Sequence, residues 1–161
     1  MEQYQENIRN KALEICGRDI YIDIGANIGL WACQLSHKFN FTHAFEINQI
    51  VVPALKENII KFGNPDKIQL HEFGLSNREK TVSLDLTTKN SFGTHIKEGL
   101  GEIPVKSLDS VLENVNGKIS LIKIDAAGSE TYILCGMIEL LMKHKPVIII
   151  EEKNHGIRLS L

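Results

Sequence analysis

The apolar positions of the chain switch repeatedly between two periods. Tyr4, Ile8, Ala12 and Ile15 recur at helical spacing and predict a first helix over residues 3–16, closed by Gly17. Residues 19–24 read as a strand. Leu30, Trp31 and Leu35 mark the buried side of a second helix that Asn27 caps and that runs to about Lys38. Residues 42–47 form a second strand. Residues 49–62 form a helix with Val52, Leu55, Ile59 and Phe62 inward and Gly63 just beyond its end. After a turn at Asn64-Pro65-Asp66 comes a third strand, 68–73.

The pattern then becomes polar. Residues 81–86 alternate strictly, as a half-exposed strand should. The glycine-bearing stretch 90–101 predicts a mobile loop, followed by a short strand at 103–105 and a short helix at 108–112. Residues 120–125 read as a buried strand. One helix is expected from Gly128-Ser129-Glu130 through Leu134, Ile138 and Leu141. Residues 146–151 are almost wholly apolar, the kind of strand buried on both faces.

Strands and helices thus alternate, which predicts an α/β fold: a mostly parallel, twisted, Rossmann-like sheet flanked by helices and joined by right-handed crossovers. The 161 residues are treated as one domain, 1–161. Net charge is 18 minus 20, or -2, so no basic surplus points to nucleic acid or an anionic membrane. No apolar run approaches the ~20 residues of a membrane span, and the charged, amphipathic start is not a secretory signal. Cys16, Cys33 and Cys135 lie far apart, form no C-x-x-C and are expected as free, buried thiols in a reducing cytoplasm. The six histidines show no ligand spacing, and no metal site is expected.

The strongest chemical signal is Asp23-Ile24-Gly25-Ala26-Asn27-Ile28-Gly29, a strand end running into a glycine-spaced turn and a helix. Glycines at 25 and 29 let backbone approach a ligand, and Asp23 falls at the carboxyl end of the strand, where such sheets place ligands. A dinucleotide site wants G-x-G-x-x-G. Here Asn27 replaces the second glycine, which favours a phosphate-free adenosine cofactor, S-adenosylmethionine, with Asn27 at its amino-acid end. Glu46 ends the second strand about 20 residues on, where an acidic side chain meets ribose hydroxyls.

These features resemble the first two motifs of class I methyltransferases. Lys123-Ile124-Asp125, followed by Gly128-Ser129-Glu130 and Leu134-Cys135-Gly136, resembles the K-I-D-x-E-G-x-E…L-x-G block of the FkbM-type methyltransferase family. Leu108-Asp109, Gly74-Leu75-Ser76-Asn77 and Ile148-Ile149-Ile150-Glu151 resemble three further segments in the same order. Two departures stand out. Ala127 occupies the position of the family's Glu, and residues 152–161 are too few for the two further strands of a full class I sheet, giving a C-terminally shortened form.

The resemblance implies methyl transfer to an oxygen of a small molecule or sugar. Asp125 and Glu151, at strand ends facing the cleft, are the candidate bases, with His95 as another. Asp23, Gly25, Asn27, Gly29, Glu46, Gly74, Leu75 and Asp125 are the expected cofactor contacts, the Gly74–Ser76 backbone meeting the adenine edge. A cofactor-binding domain without catalysis is the second reading, motivated by Ala127, and a nicotinamide-dependent reductase the third. An exposed sheet edge after the fifth parallel strand would favour a homo-oligomer.

Overall fold

A computed structural model of the chain describes residues 5–85, 95–98, 101–152 and 156–160, with the backbone alone at 85, 95–98, 152 and 156–160. Helix α1 (Glu6–Ile15) precedes β1 (Ile20–Ile24), α2 (Leu30–Leu35), β2 (Phe41–Phe45), α3 (Val52–Phe62) and β3 (Ile68–His71). A middle section holds β4 (Gly74–Leu75), β5 (Lys80–Asp85), β6 (His95–Glu98), β7 (Ile103–Lys106) and α4 (Leu108–Val111). The chain then runs through β8 (Ile119–Ile124), α5 (Glu130–Cys135), α6 (Ile138–His144), β9 (Val147–Glu152) and β10 (Gly156–Ser160).

The main sheet has the order β10-β9-β8-β1-β2-β3. All its pairings are parallel except that of β10 with β9. β1 and β8 are buried along their whole length, because both sheet faces carry helices. Alternate residues feed different layers. Ile20, Ile22, Ile24, Ile122 and Ile124 pack with Leu108, Ile133, Met137 and Leu140 on one face. Tyr21, Leu121, Val147 and Ile149 pack with Ala12, Trp31 and Leu35 on the other. The strand order reverses at β1, which lies between β8 and β2. In open α/β sheets that is where a crevice opens beyond the strand ends.

Several expectations need correction. The segment expected as a mobile loop contains β6, paired antiparallel with β5 through Asp85 and His95, so His95 is a strand residue. β6 belongs to a second, four-stranded sheet of order β4-β7-β5-β6 that the pattern did not announce. The single helix expected after Gly128 is two. At the break Gly136 passes so close to the Ser76 carbonyl that a Cβ would lie 2.0 Å from its oxygen. The Asp109 carboxylate then accepts from Glu139 N at 3.1 Å and Leu140 N at 2.9 Å, satisfying the start of α6.

The edge beside β9 is covered by β10, with Ile157 opposite Glu151, so residues beyond 151 supply one further strand. Asn27 does not cap α2; Gly29 holds that position, with φ 88°. Cys33 is buried and Cys16 half-buried, but Cys135 is exposed on the outer side of α5. Of the apolar positions that marked the predicted helices, Ile15, Phe62 and Ile138 are half-exposed, while Tyr4 lies outside the described residues.

Candidate cofactor and active site

A cleft of about 550 Å³ opens at the carboxyl ends of β1, β2, β8 and β9. That volume is in the range of pockets for small molecules and cofactors. Of the expected site residues, Gly25, Asn27, Glu46, Gly74, Leu75, Asp125 and Glu151 line it. Asp23 and Gly29 do not.

The loop after β1 is positioned from the neighbouring strand. Gly25 N and Ala26 N both donate to the Phe45 carbonyl, at 3.0 and 2.9 Å. Gly25 has φ 75°, and a Cβ there would lie 1.8 Å from the carbonyl oxygen of Asp125. Glycine is therefore demanded by the meeting of two strand ends as well as by any ligand. Gly29 faces away from the cleft, where a Cβ would meet Leu55 Cδ1 at 2.6 Å and Cys33 Sγ at 3.1 Å. Its role is the packing of α2 against α3.

Glu46 clamps this loop. Its Oε2 accepts from Asn27 N and its Oε1 from Asn48 N, both at 2.7 Å. Burial raises the Glu46 pKa above the ordinary carboxylate range, the bonds from Asn48 and Asn27 work against that rise, and Asp23 adds to it. Asn27, with φ 51°, tolerates the left-handed conformation that the clamp requires.

On the opposite wall, Asp125 N donates to the Ile24 carbonyl at 3.0 Å, tying β8 to β1 at their ends. Glu130 Oε1 accepts from Ala126 N at 3.2 Å and Gly128 N at 3.0 Å and so shapes the loop that presents Ala127. A charge cluster built on Lys123 and Asp125, both of which line the cleft, reaches down to Asp23. Lys123 Nζ is 3.4 Å from Asp23 Oδ1 and 3.5 Å from Asp125 Oδ2, and it also points at the Gly25 carbonyl, 3.5 Å away. The side chain of Asp23 is wholly buried.

Burial pushes the Asp23 carboxyl upward, against the opposing pull of Lys123. Burial also works against the charge on Lys123, but Asp23, Asp125 and Glu151 outweigh it and hold the ammonium above the ordinary lysine range. Glu151 is half-buried. Burial raises its pKa, the bond and charge of Asp125 raise it further, and Lys123 and Gln5 oppose them.

Lys123 is the residue that sequence reasoning passed over. It stood in the quoted K-I-D segment, yet an isolated lysine in an apolar strand carries no periodic signal of a partner. Trp31 was read as core, and it is buried, but it also forms part of the cleft wall. Phe73 and Ile47 line the cleft from loops whose approach depends on tertiary packing. Among the described residues no group of three or more His, Cys, Asp or Glu side chains is placed to hold a metal.

A six-stranded sheet with one antiparallel edge strand, and a cleft at its reversal point flanked by Gly25, Glu46 and Asp125, defines the class I methyltransferase fold. Residues 23–158 match the FkbM methyltransferase domain, and the chain belongs to that family. The hexuronic acid methyltransferase AglP of Haloferax volcanii is 31% identical over 134 residues, covering 81% of this chain and 55% of the relative. The chain therefore spans about half the length of that curated relative.

Among solved structures, the methyltransferase FkbM from Methylobacillus flagellatus KT superposes with a TM-score of 0.59 at 21% identity, over 83% of this chain and 32% of that one. A SAM-dependent methyltransferase from Geobacter sulfurreducens in complex with S-adenosyl-L-homocysteine gives 0.52 at 14% identity, over 91% of this chain and 46% of that one. At these identities the two structures speak for the fold alone.

Proposed function

We propose that this domain binds S-adenosylmethionine and transfers its methyl group to an oxygen of a small molecule or sugar. The observation that carries the reading is Glu46. Each of its oxygens uses one acceptor position on a backbone N–H, and an ionised carboxylate offers about four, so capacity remains for ribose hydroxyls in the cleft. The absence of a side chain at Gly25 and the side chain of Asn27 suit the amino-acid portion of the cofactor. Gly74 and Leu75 suit the adenine edge. The acidic wall of Asp125 and Glu151 suits a cation.

When bound, the cofactor supplies an activated methyl on a sulfonium centre. The protein aligns the acceptor and takes its proton. Glu151 is the base this reading favours, because it lines the cleft and its raised pKa brings it toward the range of an effective acceptor at neutral pH. Asp125 shares its field, and Lys123 holds Asp125 from below. Asp23 acts through Lys123 rather than by touching the cofactor. The hexuronic acid relative supports a sugar acceptor, and the protein is read as cytoplasmic.

Calorimetry with S-adenosylmethionine and S-adenosylhomocysteine, joined to mass analysis of hydroxylated acceptors including uronic acid sugars, tests the proposal. Binding together with a methyl mass increment is the expected result, and absence of binding ends it. One observation favours a second reading, binding without transfer: Ala127 places only a methyl group on the cleft wall where the family resemblance implies a carboxylate. Binding without turnover in the wild type, with turnover appearing in Ala127→Glu, would establish that reading.

A further inference from the structure

We propose that Ser129 is an acceptor-binding residue, its hydroxyl hydrogen-bonding a sugar hydroxyl next to the one that is methylated. The role rests on the function proposed above. Two serines of the chain stand immediately before a helix, and they are used differently. Ser107, before α4, has an extended backbone with φ -79° and ψ 144°, and its Oγ accepts from Ser110 N at 3.2 Å. That is the usual task of a serine in this position. Ser129, before α5, has φ -96° and ψ 2°, and its side chain makes no capping bond. Its backbone lies in the sparsely populated bridge region, where many active-site residues are found.

The difference has a local cause. Ser129 N closes a turn onto the Ala126 carbonyl at 3.1 Å, and Ala127 and Gly128 between them have φ 51° and 102°. The turn delivers Ser129 to the helix with ψ near zero instead of extended. The loop holds together without the serine side chain, because Glu130 Oε1 accepts from Ala126 N at 3.2 Å and from Gly128 N at 3.0 Å. Among the described residues the Ser129 hydroxyl has no hydrogen-bond partner. Ser129 lines the cleft, as Ala127 does, and Gly128 between them does not. Its place on the wall selects the acceptor over the cofactor. β8 and β9 run parallel with Ile124 opposite Ile150, so the loop that carries Ser129 leaves the sheet beside Glu151. Glu46, read as meeting ribose, follows β2, two strands away across β1. A hydroxyl both donates and accepts, so Ser129 holds one sugar hydroxyl in place while Glu151 takes the proton of its neighbour. The acceptor is then a vicinal diol of a sugar ring, since a lone hydroxyl leaves Ser129 unused.

Calorimetry of methyl glucopyranoside, glucuronic acid and their monodeoxy analogues against the chain saturated with S-adenosylhomocysteine reads acceptor binding without turnover. Ser129→Ala is expected to weaken binding of the preferred sugar roughly fivefold, the loss of one neutral hydrogen bond, with affinity for S-adenosylhomocysteine within about twofold of wild type. One monodeoxy analogue should bind wild type as weakly as the parent sugar binds Ser129→Ala, and should lose nothing further in that variant. Urea unfolding separates this role from a structural one. Ser107→Ala should lower the midpoint, as loss of a cap does, and Ser129→Ala should leave it in place. Unchanged sugar affinity in Ser129→Ala, a fall in its S-adenosylhomocysteine affinity instead, or a midpoint lowered as far as in Ser107→Ala would overturn the proposal, as would a wild type that binds none of these sugars. Sugar binding that depends on Ser129 in a protein that transfers no methyl group would uphold the assignment and count against the transfer reading alone. A wild type that binds no S-adenosylhomocysteine ends the proposed function and the Ser129 role with it.

Discussion

Two strand-to-helix loops form facing walls of the cleft, and they share a backbone design but not a means of support. After β1, Asn27 and Gly29 have φ 51° and 88°; after β8, Ala127 and Gly128 have φ 51° and 102°. In both, an N–H closes a turn onto an alanine carbonyl three residues back, Gly29 to Ala26 at 2.8 Å and Ser129 to Ala126 at 3.1 Å. Each loop is also held by one glutamate. For the first that glutamate is Glu46, from the end of a different strand. For the second it is Glu130, from the first turn of the helix the loop itself opens. The first loop is thus a product of tertiary structure. The second is largely self-supporting, and its position 127 carries no polar side chain.

Lys123 ties the loops to each other, through Gly25 O and Asp125, while neutralising Asp23. Its removal should have the largest effect. Lys123→Met leaves Asp23 buried without its partner, a change that destabilises by about 3 kcal/mol in comparable buried pairs. The loss depends on pH. A carboxyl whose folded pKa is raised binds its proton more tightly when folded. Its penalty is absent below the unfolded pKa and grows as pH rises toward the folded one. Urea unfolding of Lys123→Met should therefore show stability falling more steeply with rising pH than in wild type. Lys123→Met with Asp23→Asn should recover most of the loss. A double variant no more stable than the single one would mean that Lys123 acts on the loops and not on Asp23.

The same cluster shows what the amino-acid pattern reveals and what it hides. The succession of parallel strands was readable because each strand is an apolar run and each helix an amphipathic one. Gly25 and Glu46 were readable as a pair from their spacing, although half of the reason for Gly25 turned out to be the Asp125 carbonyl. β5 and β7 were readable as strands, but β10, β6 and the joining of β5 and β7 into a second sheet were not, since short strands of this kind are defined by their pairing. Lys123 was hidden for a related reason. Its partner Asp23 lies far away in sequence, and a lysine does not declare its partner. The break between α5 and α6 depends on Asp109 and the Ser76 carbonyl, again beyond the reach of local periodicity.

Cutting each glutamate separately tests the contrast directly. Glu46→Ala leaves the N–H groups of Asn27 and Asn48 without their partner and should lower stability by about 2 kcal/mol. If Glu46 also meets ribose, affinity for S-adenosylmethionine should fall by roughly a hundredfold, the combined effect of lost contact and a loosened loop. Glu130→Ala removes a local bond to two partly exposed N–H groups and should cost about 1 kcal/mol, as helix-start substitutions commonly do, with only a severalfold change in affinity. Denaturant midpoints and calorimetry read both. Equal losses from the two variants would abolish the distinction between a tertiary and a local support.

The smallest expected effect concerns the residue that most separates the loops. Asn27 and Ala127 occupy matching positions with the same φ of 51°. Alanine in the left-handed region is penalised by about 1 kcal/mol through its Cβ, whereas asparagine enters that region with less strain. Ala127→Asn should therefore raise the urea midpoint by an amount equivalent to about 0.5 kcal/mol, with an unchanged slope. The reciprocal Asn27→Ala should lower it by a similar amount. The two variants also separate strain from chemistry. Strain relief alone leaves turnover as it was, whereas a change in turnover with Ala127→Asn at unchanged cofactor affinity places position 127 at the acceptor. In that case the apolar side chain of the second loop is a choice about the substrate, and the left-handed backbone beneath it is the means by which the loop presents that position to the cleft.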